Sequence, residues 1–159
     1  MGNIFKKMRL TPSQLRTVAE RRFDDAEILR RTGKNARANG AMYMAGFVIE
    51  CLLKARLLEK YSWLQNARNI GALPKTDLML YNLCYRMHDL TAILDRLPEV
   101  KQRLMNLNSF CCQKGRLYSM LESVVSRWTI FARYSPRMAT MQEAGDFVRQ
   151  IKEIKEWLK

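Results

Sequence analysis

The stretch from Ala38 to Leu57, with the sequence ANGAMYMAGFVIECLLKARL, constrains the fold of this chain more than any other segment. Small and apolar residues recur in it at spacings of three and four, which is the period of one face of an α-helix. The small residues would let a neighbouring helix backbone come close. Glu50 and Lys54 stand one turn apart beside this stripe. We therefore expect the central helix of a bundle, with a polar element near its packing face.

The composition favours a single all-α domain. The chain has 159 residues, of which 48% are hydrophobic, and it contains only seven glycines and four prolines. That length fits one domain with a sizeable core, and helix-forming residues are common while alternating β-branched runs are missing. We predict an up-and-down antiparallel bundle of four to five long helices with short extra helices. It should span residues 11–159, behind a basic N-terminal extension over residues 1–10.

Caps and breakers predict where several helices begin and end. Thr11-Pro12-Ser13-Gln14 is typical of a helix start with a capping box, and this helix should end near Gly33. Asp89 is a good cap for a short helix over residues 90–97, which Pro98 ends. The other helices are expected at about residues 35–60, 77–86, 99–107, 113–132 and 140–158.

The excess of positive charge bears on the choice of partner. The chain carries 28 Lys and Arg against 15 Asp and Glu, a formal net charge of +13. Such an excess favours nucleic acid, nucleotides or an acidic partner, although a basic, solvated surface explains it as well. Four basic residues surround the first turn between helices, where they fit either a solvated turn or contacts to phosphate. They are Arg30, Arg31, Lys34 and Arg37.

Few residues suit a metal site or a membrane segment. The chain has one histidine and no C-x-x-C pair, so we expect no metal and no cofactor. Cys51 and Cys84 fall in apolar helical patterns and should be reduced, buried residues, while the Cys111–Cys112 pair fits either a structural or an oxidation-sensitive role. The start, MGNIFKKMRL, resembles neither a signal peptide nor a membrane span, so a cytoplasmic protein is expected.

Several short motifs follow one another in a recognisable order. Phe23-Asp24-Asp25-Ala26 comes first, and the long second helix then carries Ala41, Tyr43, Ala45-Gly46, Glu50 and Leu53-Lys54-Ala55. His88-Asp89-Leu90 follows, and Trp128, Arg133-Tyr134 and Pro136 precede a helix that closes in Trp157-Leu158. Over roughly residues 12–158 this ordered set resembles the HEPN family, the higher eukaryotes and prokaryotes nucleotide-binding domain.

The resemblance implies a bundle of four to five helices, usually a homodimer, and one of three functions. Some members are metal-independent endoribonucleases in toxin–antitoxin or defence systems, some accompany a minimal nucleotidyltransferase, and others bind RNA or nucleotides without cleaving them. The nuclease members share an Arg that is followed, after four to six residues, by a His. In that chemistry the His moves protons and the Arg neutralises the phosphoryl oxygens.

This sequence departs from the nuclease pattern. The residues five to seven positions before His88 are Leu83, Asn82 and Tyr81, and none is basic. Arg86 is only two residues from His88 and would point to nearly the opposite face of a helix. We therefore expect a non-nucleolytic RNA- or nucleotide-binding dimer that acts with a nucleotidyltransferase or another toxin–antitoxin or defence partner. The alternatives are a metal-independent endoribonuclease with a degenerate site and a purely structural partner subunit.

The candidate ligand-binding residues each have a simpler structural interpretation. Lys54 would contact an anionic ligand that Glu50 positions, or the two would form an ion pair that stabilises the helix. Arg133 would contact phosphate and Tyr134 stack on a base, or they would cap a helix end and pack. Tyr43 fits a stacking surface, the core or the dimer interface. For the nuclease alternative the catalytic candidates are His88 with Arg86 or Arg133, and His88 otherwise fits a helix-start residue. We expect the second and fourth long segments to lie side by side, so that Lys54 and Arg133 face one groove.

Overall fold

Most of the residues that the structure describes lie in α-helices and short 3₁₀ turns. The structure is a computed structural model that describes residues 9–106 and 115–159, with only the backbone of Phe131 and Arg133. These residues contain no strand, which confirms the prediction of an all-α fold. The helices in this part of the chain are α1 (Pro12–Arg31), α2 (Ala38–Lys60), α3 (Lys75–Tyr85), α4 (Leu90–Asp95), α5 (Pro98–Asn106), α6 (Arg116–Arg127) and α7 (Met141–Leu158). Shorter 3₁₀ turns cover Asn35–Arg37, Ser62–Asn66, Ile70–Ala72 and Ile130–Tyr134.

The helix starts follow from local hydrogen bonds. Before α1 the Thr11 hydroxyl accepts from the Gln14 backbone N–H at 3.2 Å, and the Gln14 side chain accepts from the Thr11 backbone N–H at 2.9 Å. This reciprocal pair is the predicted capping box. Asp89 accepts from the Ala92 N–H at 2.9 Å and caps α4, also as predicted. An equivalent box between Thr140 and Glu143 starts α7.

Three helices form the centre of the molecule. At one end the Met141 N–H donates to Asn35 Oδ1, just before α2, at 2.8 Å. At the other end Arg56 Nε donates to the Leu158 carbonyl at 3.1 Å, so α2 and α7 run parallel. The α1 helix is antiparallel to both, since Arg16 near its start pairs with Glu59 near the end of α2, and Lys155 near the end of α7 pairs with Glu20 in the middle of α1. The α6 helix packs against α4, α5 and α7, and the following 3₁₀ turn contacts α2.

Trp128 explains why α6 is shorter than expected. The sequence predicted a helix to about residue 132, but α6 ends at Arg127 and Trp128 takes an extended backbone conformation. Its ring lies directly on α2 at Gly46, where an added Cβ would be 1.8 Å from the indole Nε1. The small residue in α2 therefore admits an indole ring. Packing across the core takes priority here over the helical period of the sequence.

In the part of the chain that the structure describes, no helix is both long enough and apolar enough to cross a membrane.

Candidate functional site

A buried ionic cluster forms on α2 around Glu50. The side chains of Glu50 and Lys54 are only 5% and 10% exposed, and Lys54 Nζ donates to Glu50 Oε1 at 2.7 Å. His88 completes the cluster, because its Nδ1 lies 2.9 Å from both carboxylate oxygens of Glu50. We call Glu50, Lys54 and His88 the ionic cluster. Both oxygens of the Glu50 carboxylate therefore have hydrogen-bond partners inside the protein.

The turn between α3 and α4 positions the third member of the cluster. The α3 helix ends at Tyr85, and the N–H groups of Arg86 and Met87 both donate to the Asn82 carbonyl at 2.9 Å. The chain then turns towards α2, and the Met87 carbonyl accepts from Lys54 Nζ at 2.8 Å. Lys54 thus has a carboxylate and a carbonyl as partners, so its charge is compensated inside the protein.

His88 keeps one ring nitrogen away from the carboxylate. The carboxylate is an acceptor, so Nδ1 donates to it in the tautomer that carries the proton on that nitrogen. The side chain is 39% exposed, and its ring meets Phe47 edge-on with centroids 6.1 Å apart. This leaves Nε2 as the nitrogen that is free of the carboxylate. A carboxylate that orients an imidazole is the arrangement from which a histidine accepts or donates a proton.

The other predicted site residues lie at different distances from the cluster. Tyr43 packs edge-on against Phe47, with ring centroids 4.9 Å apart, and stacks near Trp128 at 6.3 Å. The Arg86 guanidinium lies 5.6 Å from the ring centroid of Tyr81. Arg86, which directly follows α3, therefore contacts that helix.

The prediction that Lys54 and Arg133 face one groove depends on a side chain outside the described residues. Tyr134 is 67% exposed and lies in the 3₁₀ turn that contacts α2, whereas α6 packs elsewhere. The backbone of Arg133 lies in the same turn, and its side chain is outside the described residues. Lys54 directs its amine to Glu50 and Met87. Of the predicted site residues, Tyr43, Glu50, Lys54 and His88 lie close together on or beside α2. The 3₁₀ turn that contains Tyr134 contacts the same helix.

A cavity of about 490 Å³ lies beside the ionic cluster, between α1, α2 and the end of α3. Its walls are mostly apolar or aromatic, and Glu50 and Lys54 belong to its lining. The thiols of Cys51 and Cys84 also line it. Burial raises the pKa of each thiol to about 12, and the nearby Glu50 charge adds to the effect on Cys51. Both cysteines are buried and unpaired, as predicted, whereas Cys111 and Cys112 lie outside the described residues.

A second candidate region lies at the end of the molecule where α2 begins. The Asn39 amide nitrogen donates to the Arg137 carbonyl at 2.8 Å, and Asn39 Oδ1 accepts from the Ala139 N–H at 2.8 Å. These bonds hold the segment before α7 against the turn between α1 and α2. Asn39, Arg127, Ser135 and Arg137 line a depression of about 450 Å³ there. We call the cations of this region, Lys34, Arg37, Arg127 and Arg137, the basic end.

The sequence pattern indicates only two of the four cations of the basic end. Lys34 and Arg37 stand out as a local cluster, but Asn39 and Arg137 are 98 residues apart in the chain. The signal that joins them is a pair of asparagine side chains at the start of α2, which bond backbone groups of a distant loop. Asparagine is common in turns for local reasons, so this role could not be read from the sequence.

Comparisons with models of known protein families, with curated proteins and with solved structures found no match to this chain.

Proposed function

We propose that this protein binds RNA or nucleotides without cleaving them and that it contacts phosphate groups through the basic end. The observation that carries the proposal is that Asn35 and Asn39 hold the basic α1–α2 turn against the loop before α7, next to a depression that Arg127 and Arg137 line. The chain's formal net charge of +13 supplies the long-range attraction. Phosphate contacts of this kind give affinity that depends on charge more than on base sequence.

The chemistry of the basic end suits a phosphate backbone. Lys34 and Arg37 are exposed, and neither forms an ion pair within the described residues. Arg127 uses its Nε to donate to the Ser123 carbonyl at 3.0 Å, which leaves its terminal nitrogens for other partners. Arg137 is shared with Glu143 at 3.1 Å but is 82% exposed. Exposed guanidinium groups beside hydroxyl and amide groups are the usual donors to phosphate oxygens.

The wider assembly is part of the same proposal. We infer that α1, α2, α6 and α7 alternate in direction as an up-and-down bundle, which the parallel α2–α7 pair and the antiparallel α1 support. Arg116 at the start of α6 pairs with Glu153 near the end of α7, as antiparallel neighbours would. The resemblance to the HEPN family rests on the ordered motifs. It extends the proposal to a homodimer that acts with a nucleotidyltransferase or another protein partner.

A matched pair of variants tests the basic end. Arg37→Gln with Arg127→Gln removes two charges there, and Arg96→Gln with Arg103→Gln removes two charges at the opposite end of α2. Lys60, the last residue of α2, donates to the Arg96 carbonyl at 2.8 Å and shares a cavity with Arg103. Fluorescence anisotropy with a labelled single-stranded RNA should show about tenfold weaker binding for the first variant, equivalent to about 1.4 kcal/mol. The control should change much less. Equal losses would contradict the proposal.

A metal-independent endoribonuclease remains the second candidate, because one observation favours it. The Glu50 carboxylate holds Nδ1 of His88, which is how a carboxylate orients a catalytic imidazole. Incubation of RNA with the protein in EDTA, beside His88→Ala, separates the two functions. We expect no cleavage by either protein. Cleavage that resists EDTA and disappears in the variant would establish the nuclease, whereas absence of any RNA binding would favour a purely structural subunit.

A further inference from the structure

We propose that the cavity between α1, α2 and α3 binds a small monocarboxylic acid with an apolar body, which enters the cavity while its carboxylate stays at Arg22. The inference is independent of RNA binding at the basic end. It rests on the size of the cavity, on the compensation of the charges inside it, and on the position of one arginine in its lining.

The cavity has the size and lining of a ligand site. Its volume is about 490 Å³, within the range of roughly 300–1,000 Å³ that is usual for small-molecule sites. Leu15 and Val18 of α1 and Met44 and Phe47 of α2 belong to its apolar lining. An alkyl or aryl group that replaced water there would be stabilised by about 25 cal/mol for each Å² of apolar surface it buries.

The ionisable groups of the inner wall offer no uncompensated charge. Glu50 and Lys54 neutralise each other, and Lys54 has the Met87 carbonyl as a second acceptor. The Cys51 and Cys84 thiols have a pKa of about 12 and stay protonated near neutral pH. A phosphate or carboxylate pushed against this wall would lose its hydration without gaining a cation. The part of a ligand that occupies the interior must therefore be apolar.

Arg22 provides the cation where the lining meets solvent. Its side chain is 41% exposed, against 10% for Lys54 and 5% for Glu50, so the lining changes from buried to exposed towards Arg22. Arg22 Nη1 donates to Asp25 Oδ2 at 2.9 Å and approaches Met44 Sδ at 3.8 Å. A guanidinium has five N–H donors, so most remain for a ligand carboxylate. Asp25 competes with the ligand for Arg22. Since Lys54 is already compensated, Arg22 is the cation of the described lining that is open to a ligand, which suits a single acidic group.

Trp128 gives a direct readout of occupancy. It contacts Tyr43 and Phe47, two residues of the cavity lining. The chain has three tryptophans, and Trp63 and Trp157 are partly exposed. Replacing both of these by phenylalanine leaves Trp128 as the only tryptophan. Its emission can then be followed while decanoate is added below its micellar concentration, with decanol and acetate as comparison compounds.

We expect a saturable change in Trp128 emission with decanoate, weaker binding of decanol, and none of acetate. Arg22→Gln should weaken decanoate binding about tenfold, while Arg21→Gln, an equal loss of charge at the neighbouring exposed position, should leave it unchanged. Calorimetry on the unaltered chain repeats the titration without the tryptophan substitutions. Absence of saturable binding by both methods would overturn the proposal, and so would equal binding by the two arginine variants.

Discussion

Glu50 is the residue on which the interior of the site depends. Its carboxylate accepts from both Lys54 and His88, and it is almost completely buried. Two buried opposite charges stabilise a fold only weakly as a pair, because removing them from water costs about as much as their attraction returns. Removing one of them is different, since the other is then left buried without a counter-charge.

Glu50→Gln should therefore lower the free energy of unfolding by about 3 kcal/mol, because Lys54 loses its counter-charge in a buried position. Urea denaturation measures this change. Glu59→Gln is the control, because Glu59 pairs with Arg16 at the surface and is 39% exposed. Its loss should be below about 1 kcal/mol. Equal losses for the two variants would show that the ionic cluster is not effectively buried.

The thiols of Cys51 and Cys84 predict how stability depends on alkaline pH. Their pKa is about 12 in the folded protein, against a reference value of 9.0 for the unfolded chain. Between these values the unfolded chain binds fewer protons than the folded one, so stability falls as the pH rises from about 9 to about 12. Burial also raises the pKa of Tyr85 to about 12, which adds to the fall above pH 10.

Urea midpoints measured between about pH 8 and about pH 10 test this slope. Other groups also titrate in this range, so Cys51→Ala with Cys84→Ala is the control for the contribution of the thiols. The variant should be less stable at about pH 8, because it loses buried atoms, but its midpoint should fall less steeply as the pH rises. An identical slope in both proteins would contradict the assigned burial.

At the scale of the elements, local chemistry predicted two helix starts, and tertiary packing changed one helix end. Thr11 and Asp89 cap the helices that follow them, as predicted, because a cap depends on residues three positions away. Thr140, which was expected inside the last helix, caps it in the same way. The predicted end of α6, at about residue 132, was wrong: the helix ends at Arg127, although the apolar period of the sequence continues through Trp128. That residue leaves the helix to lie against Gly46, which is 82 positions earlier in the chain, and no local pattern reveals such a contact.

Two helical glycines test this packing. Gly46→Ala should lower the free energy of unfolding by about 1–3 kcal/mol, because the new methyl group would collide with the Trp128 ring. Gly145→Ala in α7 meets open space and should raise stability by about 0.5–1 kcal/mol. Thermal unfolding followed by circular dichroism compares them. A stabilising Gly46→Ala would mean that Trp128 does not lie where the structure places it.

For the whole molecule, composition was enough to predict the fold class. The groupings of residues at the two candidate sites depend instead on the chain topology, which the sequence pattern did not predict. Few glycines and prolines and many helix formers are enough for an all-α fold. The joining of the α1–α2 turn to the loop before α7 depends on the parallel course of α2 and α7. His88 reaches Glu50 only because the α3–α4 turn folds onto α2. Both arrangements are tertiary contacts between distant segments.

The salt dependence of RNA binding tests the central proposal most directly. The affinity of the wild type for a single-stranded RNA should fall log-linearly between about 50 and 200 mM salt, with a slope of about −0.7 for each phosphate neutralised. The slope for Arg37→Gln with Arg127→Gln should be shallower by about one to two units, and the slope for Arg96→Gln with Arg103→Gln should match the wild type. A binding constant that does not change with salt, or the same slope in all three proteins, would contradict phosphate binding at the basic end.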